Sequence, residues 1–305
     1  LSDLDNAAAG YGGAVPPAPP GPGSSPFASI RRVPRTGSTN ADVARALRGD
    51  PAGGADDWPH LSVLVADHQA AGRGRAGRGW ETPPGTSLTA SVVLRPRVPP
   101  ARWTWLGLLG GLAVARAVQA RTGLAVGLKW PNDVLLLGVG GRVAPGWGHD
   151  RKVAGVLAEA VRPVGAPPSP AEAGPAAVLG FGVNVNQAAE DLPVAWATSL
   201  AAAGADASAR DLDALLAAVG ERLAALLGPW EAAGGDAVRC GLAADVAAAC
   251  VTLGREVRIT SPSGGEIQGR ALGLGEDGSL EVRLPGGPEL HVTVGDVDHI
   301  RTVSG

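Results

Sequence analysis

The sequence predicts an α+β fold, a sheet flanked by helices and followed by a small SH3-like β-barrel. Three observations carry this expectation. Runs rich in β-branched residues, such as 61–67 (LSVLVAD) and 176–186 (AAVLGFGVNVN), have the length and composition of buried strands. Long Ala/Leu stretches at 102–121, 210–232 and 234–249 read as core helices. Beyond Val251 the texture changes to about five short strands at regular turn spacing, with turns at Ser263-Gly264-Gly265, Asp277-Gly278 and Gly286-Gly287.

Taken in order, residues 1–28 are rich in Gly, Ala and Pro without a hydrophobic period, as expected of a disordered tail. They are too short and Pro-rich for a helix-turn-helix. Organised sequence begins near Ile30. Residues 36–47 (TGSTNADVARAL) predict a turn and a helix capped by Thr39 or Asn40, with Val43 and Leu47 on one face. The strand at 61–67 leads into a loop, 69–80 (QAAGRGRAGRGW), and then into an alternating strand, TSLTASVVLRP. The helix at 102–121 ends at Gly123. Residues 126–137 (VGLKWPNDVLLL) predict two short strands hinged at Pro131-Asn132. Residues 138–150 predict a flexible hairpin tip, 152–162 another strand, and 164–175 a Gly/Pro-rich connection. The expected division is a tail at 1–28, a larger α+β domain at 29–250 and a barrel at 251–305.

Composition narrows the function. Of 305 residues, 45% are hydrophobic, which is enough for a core, and no apolar run reaches transmembrane length. The N-terminal stretch lacks a signal-peptide pattern. Lys and Arg number 26 against 29 Asp and Glu, a net charge of −3, which counts against a broad duplex-DNA face. Cys240 and Cys250 read as reduced thiols of a cytoplasmic protein. Five scattered histidines and no Cys-x-x-Cys leave no nitrogen–sulfur metal site to expect.

The loop at 69–80 alternates glycines with Arg73, Arg75 and Arg78, closes on Trp80, and contains no carboxylate. Such glycines let backbone N–H groups approach a ligand, while arginine forks match phosphate or carboxylate. An indole can stack on a base. Loose RNA binding and a plain linker are the competing readings. Ser38, Thr39 and Asn40 suit a helix N-cap or the polar head of a small ligand. In KWPND (129–133) a lysine, indole, amide and carboxylate meet at one turn. Lys152 and Gly155 open the next strand, and Gly180 and Gly182 suggest that something packs on the backbone.

In sequence order, STN, QAAGRGRAGRGW, KWPND, KVAGVLAE and GFGVNVN resemble the motif set of biotin protein ligases, over roughly residues 30–305. The resemblance implies a mixed or antiparallel sheet of the class II synthetase-like type. It implies that biotin and ATP form biotinyl-AMP, and that a lysine of a biotin carboxyl carrier domain of an acyl-CoA carboxylase accepts the biotinyl group. Carried over, Ser38, Thr39, Asn40, Gln69, Gly72, Arg73, Gly74, Arg75, Lys152 and Gly155 resemble the biotin and biotinyl-AMP contacts. Arg75, Arg78, Trp80, Lys129, Asn132 and Asn184 resemble the ATP contacts, with Trp80 as the adenine-stacking indole. Arg73, Lys152, Lys129 and Asp133 are the expected catalytic set, and Asp133 either receives a proton from the incoming lysine or holds the turn. Magnesium would arrive on the ATP phosphates, without a protein metal site.

The short tail implies the monofunctional type, with no DNA binding and no membrane association, as monomer or homodimer. A lipoate protein ligase of the same fold is the alternative function, and a non-catalytic nucleic-acid binder the alternative class.

Overall fold

Strand β2 (Ser62–Arg73) pairs parallel with β1 (Ser29–Thr36), a strand that local pattern did not reveal. The computed structural model describes residues 25–49, 58–162, 175–261, 264–293 and 295–299. Further strands are β3 (Gly79–Thr82), β4 (Ser87–Leu94), β5 (Val126–Lys129), β6 (Asp133–Leu136), β7 (Arg151–Val161) and β8 (Ala176–Asn184). They form one mixed sheet in the order β1-β2-β4-β8-β7-β6-β5, with β3 paired to β2. Every pairing in it except β1–β2 is antiparallel.

The two faces of this sheet are covered by different helices. Helix α1 (Thr39–Leu47) packs Val43, Ala44 and Leu47 against Leu64, Val93 and Val178. On the opposite face, Val63, Val92 and Leu179 join α2 (Leu106–Thr122) and α3 (Leu212–Ala232) in the main core. Successive strand residues point to opposite faces, so neighbours such as Val92 and Val93 serve different clusters. The alternation read in β4 therefore does not mark a solvent face, because the strand is buried throughout. Ser91 lies under α1, where its hydroxyl meets Thr39 Oγ1 at 2.8 Å and donates to Asn40 Oδ1 at 2.6 Å.

Other local expectations shift by a few residues. The α1 cap is Ser38, whose side chain accepts from the Ala41 amide, rather than Thr39 or Asn40. Helix α2 does end at Gly123, which takes φ 70. The expected helix over 234–249 contracts to α4 (Leu242–Ala249), which starts only after Gly241 at φ 81. Phe27 is buried in the core beside α3, so the expected tail does not run to residue 28; residues 1–24 and 163–174 lie outside the described residues.

The last five strands are β9 (Glu256–Thr260), β10 (Glu266–Leu274), β11 (Leu280–Arg283), β12 (Glu289–Val292) and β13 (Asp296–His299). They form a separate antiparallel sheet in the order β12-β11-β10-β9-β13. This sheet is bolted to the first one. Val257, Ile259 and Leu280 belong to the same apolar cluster as α2. The Trp105 indole donates to the Glu276 carbonyl at 2.7 Å and that of Trp130 to Gly278 at 3.1 Å.

Candidate active site

A polar cavity opens where α1 begins over the middle of the sheet. Ser38, Thr39, Asn40, Gln69, Arg73, Trp80, Asn132 and Gly155 contribute to its lining, and about 50 Å³ is open in this conformation. Its groups hold one another in place. Gln69 Oε1 accepts from the Thr39 amide at 2.9 Å and from the Thr39 hydroxyl at 3.2 Å. Asn40 Nδ2 donates to Glu159 Oε2 at 2.7 Å. Two glycines on β8 make room for this set. A Cβ on Gly180 would lie 2.1 Å from Asn40 Oδ1, and one on Gly182 would lie 2.3 Å from Trp80 Nε1. The close approach suspected from GFG is therefore between the strand and these two side chains. Trp80 Nε1 is buried without a hydrogen-bond partner.

The arginine-rich segment is more regular than a free loop. β2 continues to Arg73 and β3 starts at Gly79, so the irregular part is only residues 74–78. The Gly74 amide donates to the Arg78 carbonyl at 2.7 Å and closes the tip. Arg75 lines a neighbouring cavity with Asn132, and burial lowers its pKa against the opposing pull of Asp296 and Asp133. Arg78 pairs with Asp296 on β13.

A larger cavity of about 450 Å³ lies between the KWPND turn and β13, with Arg78, Lys129, Asn132, Asp133, Trp147 and Trp196 among its walls. Asn132 borders both this cavity and the polar one. Lys152 links them. Its ammonium is 2.6 Å from Asp133 Oδ1 and 5.5 Å from the Trp80 ring centroid. Lys129 is 5% exposed; its Nζ is 3.9 Å from Asp298 Oδ1 and 3.7 Å from the centre of the Trp147 ring. Burial lowers its pKa, opposed by Asp133 and Asp298 and reinforced by Lys152 and Arg78. Two fixed cations beside a hydrogen-bonding pocket suit the meeting of two anions.

The structure thus brings Ser38, Thr39, Asn40, Gln69, Arg73 and Gly155 to one cavity and Arg78, Lys129 and Asp133 to the next. Trp80 falls in the first, away from Lys129. Gly72 packs against Gln69, where a Cβ would lie 2.0 Å from Nε2. Asn184 enters none of these three cavities; its amide donates to the Thr198 carbonyl at 3.0 Å and its oxygen accepts from Gln187 Nε2 at 3.1 Å. Among the described residues, no group of three or more His, Cys, Asp and Glu is placed to hold a metal ion. Trp147, Trp196, Asp296 and Asp298 escaped the sequence reading, because each reaches the cavity from a segment distant in the chain.

This fold is shared with solved biotin protein ligases. The chain superposes on the Aquifex aeolicus biotin protein ligase in complex with biotin and ATP with a TM-score of 0.67 at 24% identity, covering 90% of this chain and 100% of that one. For the Leishmania major biotin protein ligase in complex with biotinyl-5-AMP the TM-score is 0.51 at 22% identity, covering 90% and 99%. Residues 53–167 match the model of the Biotin/lipoate A/B protein ligase family, and residues 252–300 that of the Biotin protein ligase C terminal domain. A Mycobacterium tuberculosis biotin--[acetyl-CoA-carboxylase] ligase is 37% identical over 274 residues, 88% of either chain. The chain belongs to the biotin protein ligase family.

No helix among the described residues is long and apolar enough to cross a membrane.

Proposed function

We propose that the protein activates biotin with ATP and transfers it to a lysine of the biotin carboxyl carrier domain of an acyl-CoA carboxylase. The observation that supports this reading is that Lys152 pairs with Asp133, a wall of the cation-lined cavity, 5.5 Å from the ring of Trp80, a wall of the polar one. Biotin's ureido head suits the donors and acceptors of Ser38, Thr39, Asn40 and Gln69, and its carboxylate would lie toward Lys152. The cavity is drawn tight, so the hairpin bearing Gly72, Arg73, Gly74 and Arg75 has to open to admit biotin and close over it.

ATP phosphates fit the side bordered by Arg78, Lys129 and Asn132. A biotin carboxylate oxygen forms a bond to the α-phosphorus as the bond to pyrophosphate breaks. Lys152 and Lys129 offset the charge that builds there. The carrier lysine's nitrogen then attacks the acyl carbon of biotinyl-AMP and AMP leaves. Asp133 takes the amine proton once Lys152 has turned from it to the phosphate. Trp80 is placed better as a wall for biotin and the acyl-phosphate than as a base stack, and Asn184 supports the segment after β8 rather than the nucleotide. Magnesium would arrive on the ATP phosphates and would supply charge neutralisation there. The cavity carboxylates Asp133, Asp296 and Asp298 face Lys152, Arg78 and Lys129, so a metal would be held through phosphate and water.

The test is ATP–pyrophosphate exchange. We expect exchange with biotin and little with lipoate; exchange with lipoate alone would overturn the reading.

A further inference from the structure

The segment 138–150, between β6 and β7, takes no part in the motif set, yet it is built around a single inward-facing ring. Arg151, 7% exposed, turns into the segment and staples it from within. Its guanidinium donates to the carbonyls of Gly148 at 2.7 Å and Asp150 at 2.8 Å, and to that of Arg142. His149 Nδ1 meets the Gly140 carbonyl at 2.7 Å, and the Ala144 amide donates to Gly148 at 2.8 Å. The expected flexible tip is therefore a cross-braced loop, because its carbonyls converge on one buried cation. It holds Trp147 at 8% exposure, packed with Leu135 and Ala144 and stacked on Trp196 at 6.1 Å and 9°.

The Lys129 ammonium lies on the face of that ring, 3.7 Å from its centre. A lysine withdrawn from water loses hydration, and the negative face of an indole restores part of the loss. The other charged groups around it are Asp298 from β13, Asp133 on its own turn, and Lys152 and Arg78, which oppose its charge. We propose that Trp147 is a positioning residue for the activation step: its ring is the seat that keeps the buried Lys129 charged and in place for the nucleotide phosphates. The proposal rests on the nucleotide placement above, but the seat itself can be tested without turnover.

Two measurements decide it. The first follows chemical acetylation of Lys129 against pH by mass spectrometry, in the parent, Trp147→Phe and Trp147→Leu. Because the ring favours the protonated form, Trp147→Leu should expose a reactive neutral amine about one pH unit lower than the parent. Trp147→Phe, which keeps a π face, should fall between them. The second measures KM for ATP and for biotin in the exchange reaction. Trp147→Leu should raise KM for ATP roughly tenfold at neutral pH and move its alkaline rise to lower pH, with KM for biotin within about twofold. In Trp147→Leu with Lys129→Arg, the alkaline shift should vanish, since arginine keeps its charge.

An unchanged Lys129 acetylation profile in a folded Trp147→Leu protein overturns the seat. So does a parallel rise in both KM values without a pH shift, the mark of a merely structural ring. An acetylation shift in Trp147→Leu together with a parent that shows no biotin-dependent exchange keeps the seat and sinks the proposed function.

Discussion

Two glycine-rich segments join neighbouring antiparallel strands, one at 74–78 between β2 and β3 and the other at 138–150 between β6 and β7. Both are flanked or entered by arginines and both come with an indole, Trp80 in one case and Trp147 in the other. They differ in where the arginine goes. In the first, Arg73 and Arg78 lie at the surface and the backbone closes on itself through Gly74 and Arg78. In the second, Arg151 is turned inward and spends its donors on the loop's own carbonyls. An arginine at the surface is available to a ligand's anion; one turned inward substitutes for missing backbone pairing and makes a loop rigid. The two segments share glycines, a neighbouring indole and a neighbouring arginine, and differ in what that arginine does.

The sharpest test uses adjacent residues that split along this line, Arg151 and Lys152. Lys152→Ala removes the cation that pairs with Asp133 beside Trp80 and should slow biotin-dependent exchange by roughly 10²–10³-fold. Its thermal stability should stay near the parent's, and an unchanged exchange rate would refute the role. Arg151→Ala instead strands buried carbonyls and should cost about 2–3 kcal/mol of unfolding free energy in denaturant titration. If it costs nothing, the second segment is not stapled and the comparison fails.

Smaller effects probe the first segment. Gly182→Ala forces a methyl into Trp80 and should raise KM for biotin about tenfold, with less change for ATP. Arg75→Gly should leave stability within about 0.5 kcal/mol, because the tip is held by backbone bonds. It should let biotinyl-AMP escape and label lysines indiscriminately; a variant as selective as the parent would show that the loop does not retain the intermediate.

Much of the site was legible before the fold. KWPND, the arginine-rich run and STN were each located, and the two β8 glycines were correctly suspected of close contact. Their partners were not legible, since Asn40 against Gly180 and Trp80 against Gly182 are pairs more than a hundred residues apart. A shorter separation also hid β1, whose parallel pairing with β2 joins residues such as Ser29 and Ser62 and needs a crossover. The second half of the 234–249 helix was readable, whereas its start depended on the Gly241 backbone.

By itself the sequence determined what local chemistry can encode: strand and helix periods, the order of the motifs, the change of texture at Val251, and the family. Tertiary structure alone decided which cations share a cavity, that Trp80 lines one cavity with Ser38 and Gln69, and that Trp147 and β13 close around Lys129. The physical reason is that period and composition act over a few residues, whereas burial, ion pairing and ring contacts are set by surfaces that meet only when the sheets and helices pack.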